Sequence, residues 1–270
     1  MVLVQHMDEE APIFADERHN RIAELVAAKG KVLTSHLTSL LGVSEPTLRK
    51  DLTILEQRGL LKRTHGGAIA ARPPAERELD VRSTQNLSAK EAIAAACLEE
   101  IADGEAIFLD SGTTVQLLAH ELGKSNRRVT VVSNAPKAAA EVALNHGISH
   151  ILLGGQLRIV SGSLTGPLTA QNLNLFTINT AFIGVSGITK DGITVSDFAE
   201  AQLKMTVIDR AQKIIVPVDH TKIGAVDFTK VCGLDQIDVV VTDQADPMLE
   251  KVCGDRGIRV VIAGLSRKSA

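Results

Sequence analysis

The sequence has no Trp and no Tyr, and only six Phe in 270 residues. Its core must therefore be built from Val, Ile, Leu and Ala, and the scarcity argues against a module that stacks bases on aromatic rings. Cysteine is nearly as scarce. Cys97, Cys232 and Cys253 stand far apart and form no CxxC, so neither a disulfide framework nor a zinc site is expected, and a reducing cytoplasm fits. No run of about 18 apolar residues is present, so no membrane span is expected. Residues 1–7 include a short apolar stretch without a basic flank or a small-residue cleavage site, which is not the pattern of a signal peptide. There is no GxGxxG and no P-loop. Gly184-Val185-Ser186-Gly187 fails as GxSxG because Ile188 takes the last glycine position. His146 and His150 are four apart, but Gly147 lies between them, so surface or capping roles are expected rather than a helical metal pair. Neither a metal nor a cofactor is expected.

A strong excess of either charge is also lacking. The net charge is −3, so the whole chain is not a polycation that coats nucleic acid. The distribution is uneven. Residues 17–72 carry ten Lys or Arg against five Asp or Glu, residues 1–16 carry four acids and no base, and residues 73–270 carry nineteen bases against twenty-three acids. A small basic N-terminal module on an acidic body is the footprint of a DNA reader with a separate regulatory domain.

What is present supports that division. Residues 18–29 place Ile22, Leu25 and Val26 on one face at helical spacing, and Gly30 follows as a stop. Thr34 is placed to cap a second helix running to residue 41, and Gly42-Val43 makes a turn. Ser44 is placed to cap a third helix running to about residue 58, with Pro46 in its first turn, where a missing N–H costs little. Residues 60–69 read as two short strands around a Gly66-Gly67 hairpin turn. Two helices, a tight glycine turn and a third helix make a helix-turn-helix. Leu48, Leu52 and Leu55 recur at i, i+4 and i+7, so Pro46, Arg49, Lys50, Thr53 and Gln57 point away from the packed side. Arg49 and Lys50 suit guanine edges or phosphates, and Thr53 and Gln57 suit other base edges. Ser44 and Thr47 can hold a phosphate with the N–H groups of the helix start. Lys62, Arg63 and His65 on the hairpin extend the basic surface. A small helical bundle with a solvated polar face would look similar.

Residues 70–78 are polar and contain Pro73-Pro74, which reads as a stiff connector. A helix is expected from about residue 88 to 101. Beyond it, short β-branched runs at 106–109, 128–132, 150–153, 181–185, 213–218, 238–241 and 259–262 alternate with helical patterns at 115–122, 135–145, 197–212 and 246–255. Continuous apolar strands alternating with helices predict a mostly parallel α/β sheet covered on both faces. The expected organisation is a flexible extension at 1–16, a winged helix-turn-helix at 17–70, a linker at 71–87 and an open α/β domain at 88–265. In such a sheet ligands bind beyond the C-terminal strand ends. Those ends carry Asp110-Ser111-Gly112-Thr113-Thr114, Ser133-Asn134, Gly154-Gly155 followed by Arg158, Ser186-Gly187, Asp219-His220-Thr221-Lys222 and Thr242-Asp243. Glycine, hydroxyls and a helix start suit an anion. Taken singly, each is equally a helix cap, a plain turn or a surface pair.

The run 43–68, VSEPTLRKDLTILEQRGLLKRTHGGA, resembles the N-terminal segment of the DeoR family of bacterial transcriptional regulators. Ser44, Thr47, Arg49, Asp51, Leu52, Leu55, Gly59, Arg63 and His65-Gly66-Gly67-Ala68 stand where that family's pattern has them. Lys50 departs from it, since many members carry a second Arg there; lysine keeps the charge but loses the bidentate fork. Stretches 101–122, 129–134, 152–158, 163–167, 181–188 and 191–224 resemble the family's C-terminal domain, which is itself similar to ribose-5-phosphate isomerase and binds phosphorylated sugars. The resemblance implies that Asp110, Ser111, Gly112, Thr113 and Thr114 hold a phosphate, and that Asn134, Gly155, Arg158, Lys204, Asp219 and Lys222 line the rest. It implies a cytoplasmic repressor of a sugar or polyol operon, acting as a dimer or tetramer, with operator DNA and a phosphorylated effector as partners. The alternative is a sugar-phosphate isomerase-like enzyme on the same fold. Against that stand the Ser186-Gly187 turn, where the isomerase has an acid-rich turn, and Lys204, near which it has a Glu; Asp197, Glu200 and Asp219 remain as possible bases.

Overall fold

The computed structural model describes residues 15–29, 31–64, 66–70 and 79–264. The expected extension up to residue 14, the Gly30 stop, His65 and the Pro73-Pro74 stretch therefore lie outside the described residues. The chain divides into two compact units, residues 1–74 and 75–270.

In the first unit, helix α1 (Ala15–Lys29) is followed by strand β1 (Lys31–Leu33), helices α2 (Thr34–Leu41) and α3 (Glu45–Gln57), and strands β2 (Leu61–Thr64) and β3 (Gly67–Ala70). Helix α1 takes in Ala15 and Asp16, which the sequence assigns to the extension. Acidic residues such as Asp16 and Glu17 favour a helix N-terminus, where the dipole is positive. Strand β1 is an element that three residues are too few to announce. It pairs antiparallel with β3, giving the sheet order β1-β3-β2. Thr34 is the first residue of α2 and not its cap. Its N–H is taken by Gly66 O at 2.9 Å, so the hairpin does the capping. The turn also lies one residue earlier than expected, because Gly67 already pairs in β3. A Cβ at Gly67 would run into the Val32 carbonyl, so that close strand pairing requires glycine. Ser44 caps α3 by accepting from Thr47 N (3.4 Å), Pro46 occupies the first turn, and Gly59 ends the helix at φ +71°. The core is aliphatic: Ile22, Val26, Val32, Leu37, Leu41, Leu48, Leu52, Leu55 and Leu61. Each fully buried side chain of this size contributes roughly 1.5–3 kcal/mol.

The second unit opens with α4 (Leu79–Thr84) and α5 (Leu87–Leu98). Helix α4 corrects the reading of 71–87 as connector throughout. The Lys90 ammonium donates to the Arg82 and Gln85 carbonyls at 2.6 Å each, taking up carbonyls that the end of α4 exposes. The sheet is built from β4 (Ala106–Leu109), β5 (Thr130–Ser133), β6 (Ser149–Leu152), β9 (Ile178–Phe182), β12 (Ala211–Pro217), β14 (Val239–Thr242) and β15 (Arg259–Ile262). All pairings are parallel, in the order β15-β14-β12-β9-β4-β5-β6. Each overlaps a run that the sequence marks, but β9 lies three residues earlier than the run 181–185, so it ends before Ile183-Gly184, and Gly187 belongs to a separate short strand.

Helices α6 (Thr113–Lys124), α7 (Pro136–Val142), α9 (Phe198–Ile208) and α10 (Pro247–Gly254) fall on the expected helical patterns, and α8 (Pro167–Leu173) is additional. So are the hairpin of β7 (Gln156–Arg158) and β8 (Ser163–Thr165), and a small sheet of β10 (Gly187–Thr189), β11 (Gly192–Val195) and β13 (Thr229–Cys232). Alternation along the strands sends Ile107 and Leu109 into one core with α5, α6 and α7, and Phe108 into the other with α8, α9 and α10. The strands run outward from the centre in two directions, so the topological switch lies between β4 and β9. In an open parallel sheet that is where a ligand crevice forms.

Candidate DNA interface and effector site

Helix α3 buries Leu48, Asp51, Leu52 and Leu55. Ser44, Pro46, Thr47, Arg49, Lys50 and Gln57 are exposed, and Thr53 is half-buried. The reading face that the sequence predicts is thus presented outward. Arg49 is held by Glu45 one turn earlier (Nη2 to Oε1, 2.6 Å), with both side chains more than half exposed. An exposed pair of that kind is worth little and yields readily to phosphate or guanine. The hairpin is tied to the helix. Arg63 N donates to Glu56 Oε1 (2.8 Å), and the Arg63 guanidinium donates to the Thr53 hydroxyl, which itself donates to Arg49 O (2.9 Å).

One residue of α3 carries a role that spacing alone does not reveal. Asp51 is 4% exposed and accepts from Arg18 Nε (2.7 Å), Arg18 Nη2 (3.1 Å) and His19 Nε2 (2.9 Å), binding α3 to α1. An ionised carboxylate only accepts, so Nε2 of His19 carries the proton. Burial would raise the Asp51 pKa, but the bonds from Arg18 and His19 outweigh it and hold the carboxyl below its usual range.

In the second unit the expected effector residues gather around the β4–β9 switch. Asp110 follows β4 and is buried; its Oδ1 accepts from Ser111 N (2.7 Å) and its Oδ2 from Gly184 N (2.9 Å), at the end of β9. Lys204 of α9 pairs with the same Oδ2 from a site that is 3% exposed. Burial raises the Asp110 pKa, opposed by Lys204 and the two N–H groups. Gly112 stands before α6 at φ +129°, and no side chain caps that helix start. The first-turn amides are therefore not covered by a cap. A small depression there is lined by Gly112, Gln116, Lys137, Ser161 and Gly162 among others. Ser111, Thr113 and Thr114 are buried beside it, and Thr114 Oγ1 has no hydrogen-bond partner. Asn134 donates to Leu164 O (3.3 Å), while its Oδ1 is buried without a partner.

Arg158 approaches the same region on β7, paired with Asp197 (3.2 Å) and Glu200 (3.4 Å) at the start of α9. Ser163 donates to Glu200 (3.4 Å) and is bonded to Ser161 of the depression (2.7 Å). Asp219 and Lys222 flank a short 3-10 turn after β12; Lys222 Nζ donates to Val185 O (2.9 Å) and lies 4.0 Å from Asp219. Burial lowers the Lys222 pKa to about 8, with Asp219 opposing and Lys90, Arg82 and Lys204 adding to it. Its side chain remains 27% exposed, so water relieves part of that penalty. Gly155 is explained by packing: a Cβ there would meet the Thr169 hydroxyl and the Thr165 carbonyl.

Three members of this network escape the sequence reading. Arg82 and Lys90 lie before the first strand, where a rule based on strand ends does not look. Asn86, at φ +51°, donates to Asp219 and to Thr221 at 3.2 Å each. Burial lowers the pKa of Lys90, against Asp219, and of Arg82, against Glu200. A Lys in the first turn of a helix, where cations are unfavourable, is the one signal that marks Lys90. Among the described residues no group of three His, Cys, Asp or Glu is placed to hold a metal, and no helix is long and apolar enough to cross a membrane. His146 follows α7 and His150 lies on β6, so they share no helix.

Comparison with known proteins gives the same division. Residues 18–73 match a DeoR-like helix-turn-helix domain, and residues 85–244 match a DeoR C-terminal sensor domain. The chain is 32% identical over 234 residues to the glycerol-3-phosphate regulon repressor of Escherichia coli K12, covering 86% of this chain and 92% of that one. It is 34% identical over 230 residues to the HTH-type transcriptional regulator GlpR of Haloferax volcanii, covering 84% and 89%. Among solved structures, ribose 5-phosphate isomerase A of Methanocaldococcus jannaschii is a distant likeness: 20% identity and a TM-score of 0.38, over 52% of this chain and 55% of that one. With a helix-turn-helix unit and a sensor unit each matched in place, the chain belongs to the DeoR family of transcriptional regulators.

Proposed function

We propose that this protein represses a sugar or polyol operon and that a phosphorylated sugar or polyol, bound at the β4–β9 switch, changes its grip on the operator. One observation carries the effector half. Lys90, Arg82 and Lys204 act electrostatically on Lys222, Arg158 acts on Arg82, and Lys204 pairs with Asp110 just before an uncapped helix start, an environment suited to a phosphoryl group. The name of the Escherichia coli relative, a repressor of a glycerol-3-phosphate regulon, supports the same ligand chemistry. The DNA half rests on α3, with Arg49, Lys50 and Gln57 facing outward for base edges or phosphates and Ser44 and Thr47 at its start for backbone. Helix-turn-helix proteins read paired half-sites as symmetric oligomers, so a dimer or a tetramer is the acting form, in the cytoplasm where operator and effector meet.

The site binds without turnover. Proton transfer on a sugar phosphate needs a carboxylate base facing the substrate. Asp110 is committed to Lys204 and two amides, Glu200 and Asp197 to Arg158, and Asp219 to Thr221 and Asn86. A thermal-shift screen against phosphorylated sugars and polyols, followed by fluorescence anisotropy on DNA from the protein's own promoter region, tests the reading. One compound is expected to raise the melting temperature, its unphosphorylated form to leave it unchanged, and the same compound to alter DNA binding without being consumed. No shift across the panel removes the phosphosugar reading.

A further inference from the structure

Among the basic groups of the effector site, Arg82 is the one whose bonding is incomplete. Its Nη2 donates to Val160 O (3.0 Å), but its Nε is buried with no hydrogen-bond partner. Arg158 by comparison already holds two carboxylates, and Lys204 holds Asp110. A guanidinium has five donors in a fixed fork, and burying one unmatched costs free energy. Burial lowers the Arg82 pKa, with the Glu200 carboxylate opposing it and the like charge of Arg158 adding to it. Val160 belongs to the turn between β7 and β8, the turn whose Ser161 and Gly162 line the depression next to Gly112. Arg82 thus reaches the wall of the anion site and brings more donors than the protein satisfies. An oxyanion with several acceptor oxygens supplies what the fork lacks.

The position of Arg82 in the chain gives this a consequence. Helix α4 is the first described element after the segment that leads out of the DNA-binding unit. Few groups hold it. Arg82 anchors it to the β7–β8 turn, and the Lys90 ammonium holds the Arg82 and Gln85 carbonyls. Lys90 in turn lies in the field of Asp219, and Asn86, two residues beyond α4, is bonded to Asp219. Any anion that draws on Arg82, Lys90 or Lys222 therefore alters the bonds that fix α4.

We propose that Arg82 is a direct ligand of the effector's phosphoryl group and that α4, ordered by that contact, carries occupancy of the site to the covalent connection with the DNA-binding unit. This rests on the phosphosugar reading above, and it adds a ligand and a relay that lie before the first strand of the sensor sheet.

The test uses full-length protein with inorganic phosphate as probe, and compares wild type with Arg82→Met, Arg82→Lys and Thr113→Val. Phosphate affinity is read by calorimetry, and protection of residues 79–84 by amide hydrogen exchange. Phosphate is expected to bind wild type and to protect α4. Arg82→Met is expected to weaken binding about tenfold or more and to abolish the α4 protection. Arg82→Lys, which keeps the charge and loses the fork, is expected to fall between them and serves as the variant of record should Arg82→Met not fold. Thr113→Val is expected to weaken phosphate binding while residual binding, at saturation, still protects α4. If both Arg82 variants bind phosphate like wild type while Thr113→Val does not, the phosphate reading stands and the role of Arg82 is overturned. If phosphate binds wild type but leaves α4 exchange unchanged, the relay is overturned. If wild type binds neither phosphate nor any phosphorylated sugar, the reading beneath the proposal fails with it.

Discussion

Asp51 in the DNA-binding unit and Asp110 in the sensor unit are both buried carboxylates held by cations, and their surroundings differ in one respect. Around Asp51 both carboxylate oxygens are taken, by Arg18 and His19, and its pKa is held below the usual range; of that group only His19 Nδ1, on the far side of the ring, is buried without a partner. The cations of the recognition face, Arg49 and Lys50, stay outside that knot and exposed. Around Asp110 the bonding is incomplete. Lys204 is matched, but Arg82 Nε, Thr114 Oγ1 and Asn134 Oδ1 are buried without partners. Burial keeps the Asp110 pKa raised. A carboxylate tied on both oxygens fixes how α3 sits on α1, whereas Arg82 Nε and the Thr114 hydroxyl are donors that a small anion can complete. That difference separates a reading unit from a sensing unit.

The largest effect is expected from Lys204→Met, which strands Asp110 in the sensor core. Breaking a buried pair from one side costs about 3–5 kcal/mol, and Asp110→Asn combined with Lys204→Met should recover a good part of it. Urea unfolding measures both; a double variant no more stable than the single one would show that the loss comes from packing and not from charge. Next, Asp51→Asn should weaken the DNA-binding unit by about 3 kcal/mol and leave the sensor transition in place. The Asp51 carboxyl has a native pKa below its unfolded one. Its stabilisation is therefore present above about pH 4 and is lost as pH falls through the native value. Circular-dichroism melts across the acid range should show that slope in wild type and lack it in the variant.

Ligand binding separates the two units at smaller cost. Arg49→Ala should weaken specific DNA binding by about 1–3 kcal/mol and leave the effector's thermal shift intact. Unchanged operator affinity in an anisotropy titration would place the reading face elsewhere on α3. Thr113→Val should do the reverse, reducing effector affinity by about 1 kcal/mol with DNA binding spared; a fully inducible variant would take that turn out of the site. The smallest effect expected is on pH. Lys222 is charged below its native pKa of about 8 and neutral above it, so calorimetric affinity for an anion should decline as pH rises through that value. The DNA-binding unit's grip should not share that inflection.

Much of the fold was legible because its signals are local. The three helices of the DNA-binding unit, the glycines after the second and third of them, and the seven parallel strands announce themselves by apolar period and by turn residues. The strands outside both the main sheet and the hairpin of the first unit, β1, β7, β8, β10, β11 and β13, were not legible. Strand β1 exists because β3 is there to pair with it, and the strands of the β7–β8 hairpin and the β10-β11-β13 sheet are likewise defined by the partners they meet after folding. Helix α4 was hidden by the two prolines before it. In the site, the outward face of α3 followed from helical spacing. Lys90 and Arg82 could not be found from strand ends, because they come from helices that precede the sheet and reach it only after folding.

The sequence by itself determined which residues could be inside and which helix face could meet DNA, since both follow from periodicity along one element. It also determined the family, through a long motif whose spacing is preserved. Tertiary structure alone decided partnership. That Asp51 meets Arg18 and His19, that Asp110 meets Lys204 ninety-four residues away, and that Arg82 meets Val160 O yet keeps an unmatched N–H are facts of close approach. Charges pair according to distance and burial in three dimensions, and neither is written in the order of residues along the chain.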